Sequence, residues 1–288
     1  MQLKYNKVLL LGATSGIGRA LAGKFLETGT SVIAVGRRQD KLDEFAKENS
    51  SQAGKVDTAN FDITDLKAIP DFAAKLFKKH PDLDCVFLNS GMQRAINWAK
   101  PEEVDLEKLD VETLTNYVSR VWGREDSASF VLTSVQTAFM HLIKAFLPHL
   151  QKQAPKETSL IFTTSGLALV PILHCPNYCA SKAALHHHIL AMREQLRAAD
   201  SNVKVIELFP PAVQTELHDF EMGDKGKDVG MPLKDFIEEA FEGLCKDDNE
   251  QIPVQAVKSF MGFYGWEQER QKTFLKMNET LLKQGHYN

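Results

Sequence analysis

Short apolar runs alternate with stretches of helical spacing along most of this chain. The apolar runs predict strands at 8–11, 31–35, 55–61, 84–88, 159–164 and 203–209, with 251–256 as a further candidate. Apolar residues repeated every three to four positions predict helices at about 17–28, 40–48, 64–79, 128–151 and 177–199. Such alternation is typical of a doubly wound α/β fold, in which helices cover both faces of a parallel sheet. No linker or repeat divides the chain, so we expect residues 1–288 to form a single domain.

Two segments interrupt this alternation. Segment 92–127 is long for a connection between a strand and a helix, and apolar positions near 104–109 and 114–121 predict a small helical insertion. Segment 216–231 carries three glycines among charged residues, which indicates either a mobile loop beside a binding cleft or a disordered surface loop. We expect the aromatic residues at 260–266 to pack in the protein interior. The alternatives are that they border the substrate pocket or contact another subunit.

Composition and charge are those of an ordinary soluble globular protein. Hydrophobic residues make up 43% and charged residues 25%, and a net charge of −4 gives no electrostatic basis for binding nucleic acid. No run reaches the roughly 18 apolar residues of a membrane helix, and the N-terminal apolar run is too short for a secretory signal. The four cysteines form no disulfide framework, so we expect reduced thiols and a cytoplasmic location.

Two clusters look like metal-binding tracts, yet neither predicts a metal site. Consecutive helical residues such as His186, His187 and His188 point about 100° apart, so they cannot all meet one ion. Contact with a partner subunit is the alternative for these histidines. Cys175 and Cys179 have helical spacing, but no matching second pair follows them.

A glycine-rich turn joins the first predicted strand to the first predicted helix. The residues of this turn that we expect at a ligand are Gly12, Thr14, Ser15, Gly16, Ile17 and Gly18. Glycines here let the backbone approach a pyrophosphate, and the helix N-terminus supplies unpaired amides and partial positive charge. Because the spacing Gly-x-x-x-Gly-x-Gly differs from the usual Gly-x-Gly-x-x-Gly, the position between strand and helix carries most of this prediction.

Tyr178, Lys182 and Ser165 have the chemistry of a proton-transfer site. Tyr178 and Lys182 are four residues apart on a predicted helix and therefore share one face. The lysine charge favours tyrosinate and brings the pKa of the phenol, about 10 when free, towards the working range of a proton donor. Ser165 follows the predicted strand 159–164, thirteen residues before the tyrosine, where a strand end could hold its hydroxyl opposite the phenol.

Together these motifs resemble the short-chain dehydrogenase/reductase family, over about residues 7–215. The resemblance implies a Rossmann-type fold and hydride transfer between a nicotinamide cofactor and a carbonyl carbon. Tyr178 would then exchange the proton, Lys182 would lower its pKa and bind the nicotinamide ribose, and Ser165 would hold the carbonyl oxygen. The further cofactor contacts that the resemblance implies are Asp62, Ile63, Asn89, Gly91, Pro210, Val213 and Thr215.

The end of the second predicted strand bears on the choice of cofactor. Relatives that prefer NAD carry an acid where this chain has Gly36, and that acid binds the 2′-hydroxyl of the adenine ribose. Arg37 and Arg38 follow immediately, and guanidinium groups at this point suit a 2′-phosphate. A solvated turn is the alternative for the arginine pair. The missing acid and the basic pair together predict NADP(H).

Three positions depart from the family pattern. Leu11 replaces a threonine before the first glycine, and Pro211 replaces the glycine of a Pro-Gly turn; we expect both effects to be small. The family often has an asparagine on a long helix, where it orders a water behind the lysine. Counting back along the predicted helix places Val135 at that position, with Ser134 or Gln136 in its place if the register differs by one.

The sequence therefore predicts an NADP(H)-dependent oxidoreductase that acts as a ketone or aldehyde reductase on a small organic molecule. A homodimer or homotetramer is implied by the resemblance. Val135 leaves open a catalytically weak relative that binds NADP(H) as a sensor, a scaffold or a non-redox catalyst. Three aromatic residues, Trp98, Phe220 and Phe236, favour an apolar substrate.

Overall fold

Seven parallel strands form one sheet in the computed structural model, which describes residues 1–116 and 138–284. The strands are β1 Lys7–Leu11, β2 Ser31–Gly36, β3 Val56–Asn60, β4 Cys85–Leu88, β5 Thr158–Thr163, β6 Val203–Phe209 and β7 Gln251–Pro253. They are ordered β3-β2-β1-β4-β5-β6-β7, and every neighbouring pair is parallel. The predicted doubly wound, Rossmann-type sheet is confirmed.

Helices connect the strands and cover both faces of the sheet. They are α1 Gly16–Glu27, α2 Gln39–Glu48, α3 Ile69–Lys79, α4 Leu106–Asn116, α5 Ala138–Gln151, α6 Pro176–Ala198, α7 Asp219–Met222, α8 Leu233–Leu244, α9 Gln255–Phe260 and α10 Gln268–Lys283. Shorter helical turns span Pro101–Glu103, Gly166–Ala168, Gly223–Asp228 and Phe263–Glu267. Over the described ranges, no helix is both long and apolar enough to cross a membrane.

Strand β1 shows why the sheet is buried on both sides. Its side chains alternate between two hydrophobic clusters, with Val8 and Leu10 in one and Leu9 and Leu11 in the other. The first cluster joins the sheet to α1 and α8, and the second joins it to α3, α5 and α6. A strand covered on both faces must be apolar throughout, which is why β1 reads as an unbroken hydrophobic run.

The strand order places a crevice between β1 and β4. The chain winds outwards from β1 to β3 on one side, and it resumes at β4 on the other side. Connections leave β1 and β4 in opposite directions at this switch point, so their carboxyl ends leave a crevice where ligands bind in such folds. The predicted glycine turn follows β1 and Asn89 follows β4, so both predicted segments meet at this crevice.

Two element boundaries differ from the prediction. Helix α3 begins at Ile69 instead of near 64, because the Asp62 carboxylate accepts hydrogen bonds from the Thr64 backbone amide and hydroxyl and so forms a turn there. Strand β7 ends at Pro253, which lacks an amide hydrogen, and α9 begins two residues later. The predicted helix 128–151 is described from Ala138 onwards.

The two irregular segments contain short helices. Within 92–127, the described part holds the turn Pro101–Glu103 and helix α4, and residues 117–127 lie outside the described ranges. Segment 216–231 is not an irregular coil, because α7 and the turn Gly223–Asp228 occupy much of it. The segment is joined to the preceding chain by paired backbone hydrogen bonds between Ala212 or Gln214 and Met231.

Candidate active site

A cavity of about 780 Å³ lies at the carboxyl ends of the central strands. The predicted site residues that border it are Gly12, Thr14, Ser15, Gly16, Ile17, Arg37, Arg38, Asp62, Ile63, Asn89, Gly91, Ser165, Tyr178, Lys182, Pro210, Val213 and Thr215. Gly18 is the exception, since it is buried behind the turn. The fold therefore brings together residues that are spread over two hundred positions of sequence.

The glycine turn has a backbone that only small residues allow. Gly12 has φ +88° and Gly16 has φ +54°, a region that side chains disfavour. A Cβ on Gly18 would lie 2.1 Å from the Gly12 carbonyl oxygen, so the first turn of α1 packs directly on the end of β1. A Cβ on Gly16 would meet the Thr215 side chain at 3.3 Å. The turn thus keeps its backbone bare beside the cavity, as a pyrophosphate cradle requires.

Arg38 lies across this turn. Its guanidinium donates hydrogen bonds to the Thr14 hydroxyl at 3.0 Å and to the Ser15 hydroxyl at 2.7 Å. It also pairs with Glu216 at 2.9 Å, a residue 178 positions away. Partial burial would raise the pKa of Glu216, but the contacts with Arg38 and Ser15 outweigh it and hold that pKa below its usual value. Arg38 is therefore fixed at the mouth of the cavity.

Arg37 and Gly36 complete the end of β2. The Arg37 guanidinium lies 3.7 Å from the Asp62 carboxylate and is largely exposed. A Cβ on Gly36 would lie 2.4 Å from the Thr14 methyl group, so the place where an acid would stand is filled by that side chain. This corner of the cavity presents two cations, with the nearest carboxylates of Asp62 and Glu216 bound to them.

Ser165 is placed by the end of β5. It caps the short helical turn Gly166–Ala168, and its Oγ accepts a hydrogen bond from the Leu167 amide at 3.1 Å. Its side chain also lies 3.5 Å from the Pro210 carbonyl, which accepts the Gly166 amide at 2.8 Å. These contacts join the ends of β5 and β6 and hold the serine hydroxyl at the cavity wall.

Tyr178 stands in the first turn of α6, opposite Ser165. It is only 6% exposed, and burial raises the pKa of its phenol well above the ordinary value of 10, while a hydrogen bond with Ser165 works in the opposite direction. The predicted lowering of this pKa by Lys182 is therefore wrong for the protein without cofactor, and the phenol is neutral at pH 7 in this cavity. A neutral phenol can donate a proton, which is the role expected of it during reduction.

Lys182 follows one helical turn later and is 2% exposed. Its Nζ donates a hydrogen bond to the Thr163 carbonyl at 3.0 Å and lies 5.6 Å from the centre of the Tyr178 ring. Burial lowers the pKa of the lysine to about 8, and the Glu207 carboxylate opposes this shift. An ammonium has three donors, and the Thr163 carbonyl takes one of them within the described part of the chain, which leaves donors for a ligand in the cavity.

Asn89 links three strand ends across the cavity floor. Its carboxamide oxygen accepts the Thr163 hydroxyl at 2.9 Å, and its nitrogen lies 3.3 Å from the Gly12 carbonyl. The same threonine offers its backbone carbonyl to Lys182. Asn89 therefore couples the glycine turn after β1 to the residues that hold the buried lysine.

A buried asparagine, Asn116, lies beside the lysine at a position that the sequence reasoning did not consider. Val135 lies outside the described residues. Asn116, at the end of α4, is fully buried, and its carboxamide bonds to both the amide and the carbonyl of Met92, at 2.8 and 2.7 Å. Its oxygen and the Lys182 ammonium both lie 3.5 Å from the point where a Cβ on Gly91 would stand. Asn116 is thus beside the lysine, where an ordered water could join them.

The wall facing the catalytic side chains is mostly apolar. Residues that line it are Met92, Leu167, Ile172, Met222, Val229 and Met261, with Gln93, Arg94, His174 and His218 as polar members. Two of the three aromatic residues predicted to favour an apolar substrate do not border the cavity, since Trp98 is 60% exposed and Phe236 is buried in the core. The side chain of the third, Phe220, lies outside the described part of the structure. From the aromatic run at 260–266, only Phe263 is buried, so ordinary packing is wrong for most of it.

The histidine and cysteine clusters do not assemble a metal site. His186 is fully buried inside its own chain, which excludes it from a subunit contact, and His187 bonds to Arg270. Cys175 and Cys179 are buried beside Tyr178 as free thiols. Across residues 1–116 and 138–284, no group of three or more His, Cys, Asp or Glu residues could hold a metal ion.

Comparisons with known proteins agree with this geometry. Residues 6–225 match the family model described as short chain dehydrogenase. The chain is 33% identical over 259 residues to the uncharacterized oxidoreductase DltE of Bacillus subtilis (strain 168), which covers 90% of this chain and 91% of that one.

Solved structures show the same fold. A short-chain dehydrogenase/reductase from Burkholderia phymatum in complex with NAD superposes with a TM-score of 0.73 at 16% identity, over 90% of this chain and 93% of that one. A closed serine dehydrogenase with NADP⁺ gives 0.69 at 23% identity, over 86% and 94%. From its family match, its relative and its fold, the chain belongs to the short-chain dehydrogenase/reductase family of oxidoreductases.

Proposed function

We propose that this protein is an NADP(H)-dependent oxidoreductase that reduces a ketone or aldehyde of a small organic molecule. One observation carries the proposal. Ser165, Tyr178 and Lys182 meet at one wall of the cavity, and the other end of the same cavity holds the glycine turn and two arginines. A dinucleotide laid along that cavity would reach from the arginines to the tyrosine.

The bare backbone at Gly12 and Gly16 fits a pyrophosphate, and bound NADPH would supply the hydride. The protein supplies placement and the proton. Ser165 holds and polarises the carbonyl oxygen, and Tyr178, neutral at pH 7, donates the proton to it. Lys182 stabilises the tyrosinate that remains and offers further donors to the nicotinamide ribose.

NADP(H) is favoured over NAD(H) by the end of β2. Arg37 and Arg38 both border the cavity there, and Gly36 leaves no acid for a ribose 2′-hydroxyl. Guanidinium groups bind a 2′-phosphate through charged and often bidentate hydrogen bonds. Because solved structures of this fold contain NAD as well as NADP⁺, the choice is supported by Gly36 and the arginine pair and not by the fold.

A catalytically weak relative is the competing function. The sequence motivated it through Val135 at the place of the expected asparagine. Asn116 supplies a buried carboxamide beside Lys182, and this supports an active enzyme over a catalytically weak relative.

Calorimetric titration of the purified protein with NADPH and NADH is the first test. We expect NADPH to bind at least about tenfold more tightly, since charged hydrogen bonds to a phosphate are each worth roughly 1.5–3 kcal/mol. A panel of apolar ketones and aldehydes, followed by NADPH consumption, then tests the reaction. Folded protein that binds neither nucleotide would overturn the proposed function.

A further inference from the structure

A chain of charged side chains runs through the protein interior beside the candidate active site. Glu207 on β6, His186 on α6 and Glu267 before α10 are each fully buried. The His186 Nδ1 lies 2.8 Å from a Glu207 oxygen, and its Nε2 lies 3.0 Å from a Glu267 oxygen. We call these three residues the buried triad.

The buried triad carries charge as well as hydrogen bonds. Burial alone would lower the pKa of His186, but the carboxylates of Glu207 and Glu267 outweigh it and raise that pKa to about 9. His186 is then an imidazolium at pH 7, donating to a carboxylate on each side. Arg270, 2.5 Å from Glu267, balances the second negative charge, and Gln271 donates a hydrogen bond to the same carboxylate at 2.7 Å. Buried ions persist in proteins only when they are paired in this way.

Thr164 joins the buried triad to the catalytic residues. Its hydroxyl donates a hydrogen bond to Glu207 at 2.8 Å. Thr164 stands between Thr163, whose carbonyl accepts the Lys182 ammonium, and Ser165, whose hydroxyl faces Tyr178. The segment 163–165 places Ser165 and Lys182, and Glu207 holds this segment through the Thr164 hydroxyl.

The buried triad also fixes the C-terminal segment that contributes Met261 to the cavity lining. Glu267 belongs to the turn Phe263–Glu267, which lies beyond the family match at 6–225. Six residues earlier, the Met261 sulfur lies 2.1 Å from the point where a Cβ on Gly166 would stand. Met261 borders the cavity, so this C-terminal segment contacts the catalytic strand end both through the apolar wall and through the charged interior.

We propose that Glu207 and His186 are positioning residues of the candidate active site. Glu207 holds Thr164, and through it the Ser165 hydroxyl and the carbonyl that fixes Lys182; His186 and Glu267 hold Glu207. The kinetic part of this inference rests on the proposed function. Its spectroscopic part does not, because the geometry exists in the protein without cofactor.

Glu207 also sets the electrostatic surroundings of the lysine. The titratable groups that face Lys182 are Tyr178 on its own helix and Glu207 on β6. Those that face His186 are Glu207, Glu267 and the neighbouring His187, with Arg270 beyond Glu267. Among the described residues, Glu207 is the carboxylate that opposes the loss of the lysine's proton, and a neutral amide in its place removes that effect. The pKa of Lys182 should then fall below its present value of about 8.

The first test is Thr164→Val, which deletes the hydroxyl and keeps the shape. Thr158→Val is the matched control, because Thr158 is equally buried at the opposite end of β5 and donates its hydroxyl to the Leu150 carbonyl at 3.2 Å. We expect Thr164→Val to lower kcat for carbonyl reduction at least about tenfold, since small displacements of catalytic groups are costly, with the Kd for NADPH unchanged within about threefold. Thr158→Val should keep full kcat. Equal kcat in both variants would overturn the positioning role.

The second test is Glu207→Gln, read out by NMR of lysine ammonium groups in the cofactor-free protein. The Lys182 signal is assigned by its disappearance in Lys182→Met. We expect it to titrate at lower pH in Glu207→Gln than in the unaltered chain, and the alkaline loss of kcat to move in the same direction. An unchanged Lys182 titration in folded Glu207→Gln would overturn the inference.

A failure of the proposed function and a failure of the positioning role would give different results. If the unaltered protein binds no NADPH and reduces no carbonyl, the proposed function fails, and the Lys182 titration still decides whether Glu207 acts on the lysine. If the protein is active while Thr164→Val keeps its kcat and Glu207→Gln keeps its pH profile, the enzyme stands and the positioning role falls. If Glu207→Gln does not fold, Thr164→Val alone decides.

Discussion

The two halves of the sheet build their parts of the cavity in different ways. In the half formed by β1–β3, the groups facing the expected nucleotide come from three short segments: the glycine turn, the two adjacent arginines, and Asp62 with Ile63. In the half formed by β4–β7, each catalytic side chain depends on residues far away in sequence. Thr164 and Glu207 are 43 positions apart, and His186 and Glu267 are 81 apart. A nucleotide can be held by backbone and surface charge, whereas a proton-transfer site needs buried side chains that fix one another.

The substitution with the largest expected effect on this comparison is Tyr178→Phe. Removing the phenolic proton should cut kcat by about 10²–10⁴-fold, the usual contribution of a positioned general acid, while the glycine-turn half keeps its NADPH affinity within about threefold. Steady-state kinetics and calorimetry measure the two quantities. Tyr264→Phe is the control, since Tyr264 is 60% exposed and does not border the cavity. Full activity of Tyr178→Phe would refute the assigned proton donor.

His186→Gln tests whether the second half is held by buried charge. The folded pKa of His186, about 9, lies above the unfolded value of about 6.5. Its stabilisation is therefore complete below pH 6.5 and is lost as the pH rises through 9. At pH 6 the unaltered chain should have a larger free energy of unfolding than His186→Gln. This difference should shrink by on the order of 3 kcal/mol between pH 6 and pH 10.

Urea denaturation at a series of pH values measures this difference. His188→Gln is the control on the same helix, because burial lowers the pKa of His188, which is the opposite direction to the shift of His186. A stability difference for His186→Gln that does not vary with pH would show that the imidazole is held neutral.

Arg38→Ala tests the nucleotide half. Loss of its charged hydrogen bonds should weaken NADPH about 10- to 100-fold and leave NADH within about threefold, because only NADPH carries the 2′-phosphate. Calorimetric titration of both nucleotides gives the ratio. Arg197→Ala is the control, an arginine paired with Glu250 away from the cavity. Equal weakening of both nucleotides would mean that Arg38 supports the turn instead of reading the phosphate.

Asn116→Ala should have the smallest effect of the four. Removing the carboxamide frees the Met92 backbone and opens the space beside Lys182, so we expect kcat to fall about tenfold with unchanged NADPH affinity. Asn202→Ala is the control, since its amide bonds to the Leu150 and Lys156 carbonyls and does not border the cavity. A larger loss of NADPH affinity than of kcat would assign Asn116 to the nucleotide half.

Sequence reasoning succeeded where a local pattern has a local physical cause. The glycine turn could be predicted because Gly12 and Gly16 adopt positive φ and Gly18 must lack a side chain. The apolar runs predicted the strands because both faces of the sheet are buried. The spacing of Tyr178 and Lys182 predicted a shared helix face, and both side chains do border one cavity.

It failed where tertiary contacts decide. Asn116 was missed because the register was counted back from a later helix, although it lies in the apolar-periodic piece 114–121 that predicted helix α4. The contacts of Glu207 with His186 and Thr164 could not be predicted, because no local pattern in the sequence shows that these residues meet. The prediction that Phe236 favours an apolar substrate was wrong, because this side chain packs in the core and does not border the cavity.

The buried triad has a practical consequence for where this protein can be cut. A chain ended at residue 225, the limit of the family match, would lose α8, β7 and Glu267. Strand β6 would become a bare sheet edge, and the imidazolium of His186 would keep only one of its two carboxylates. The smallest unit that can be expressed, fused or grafted with its catalytic wall intact therefore extends at least through Gln271.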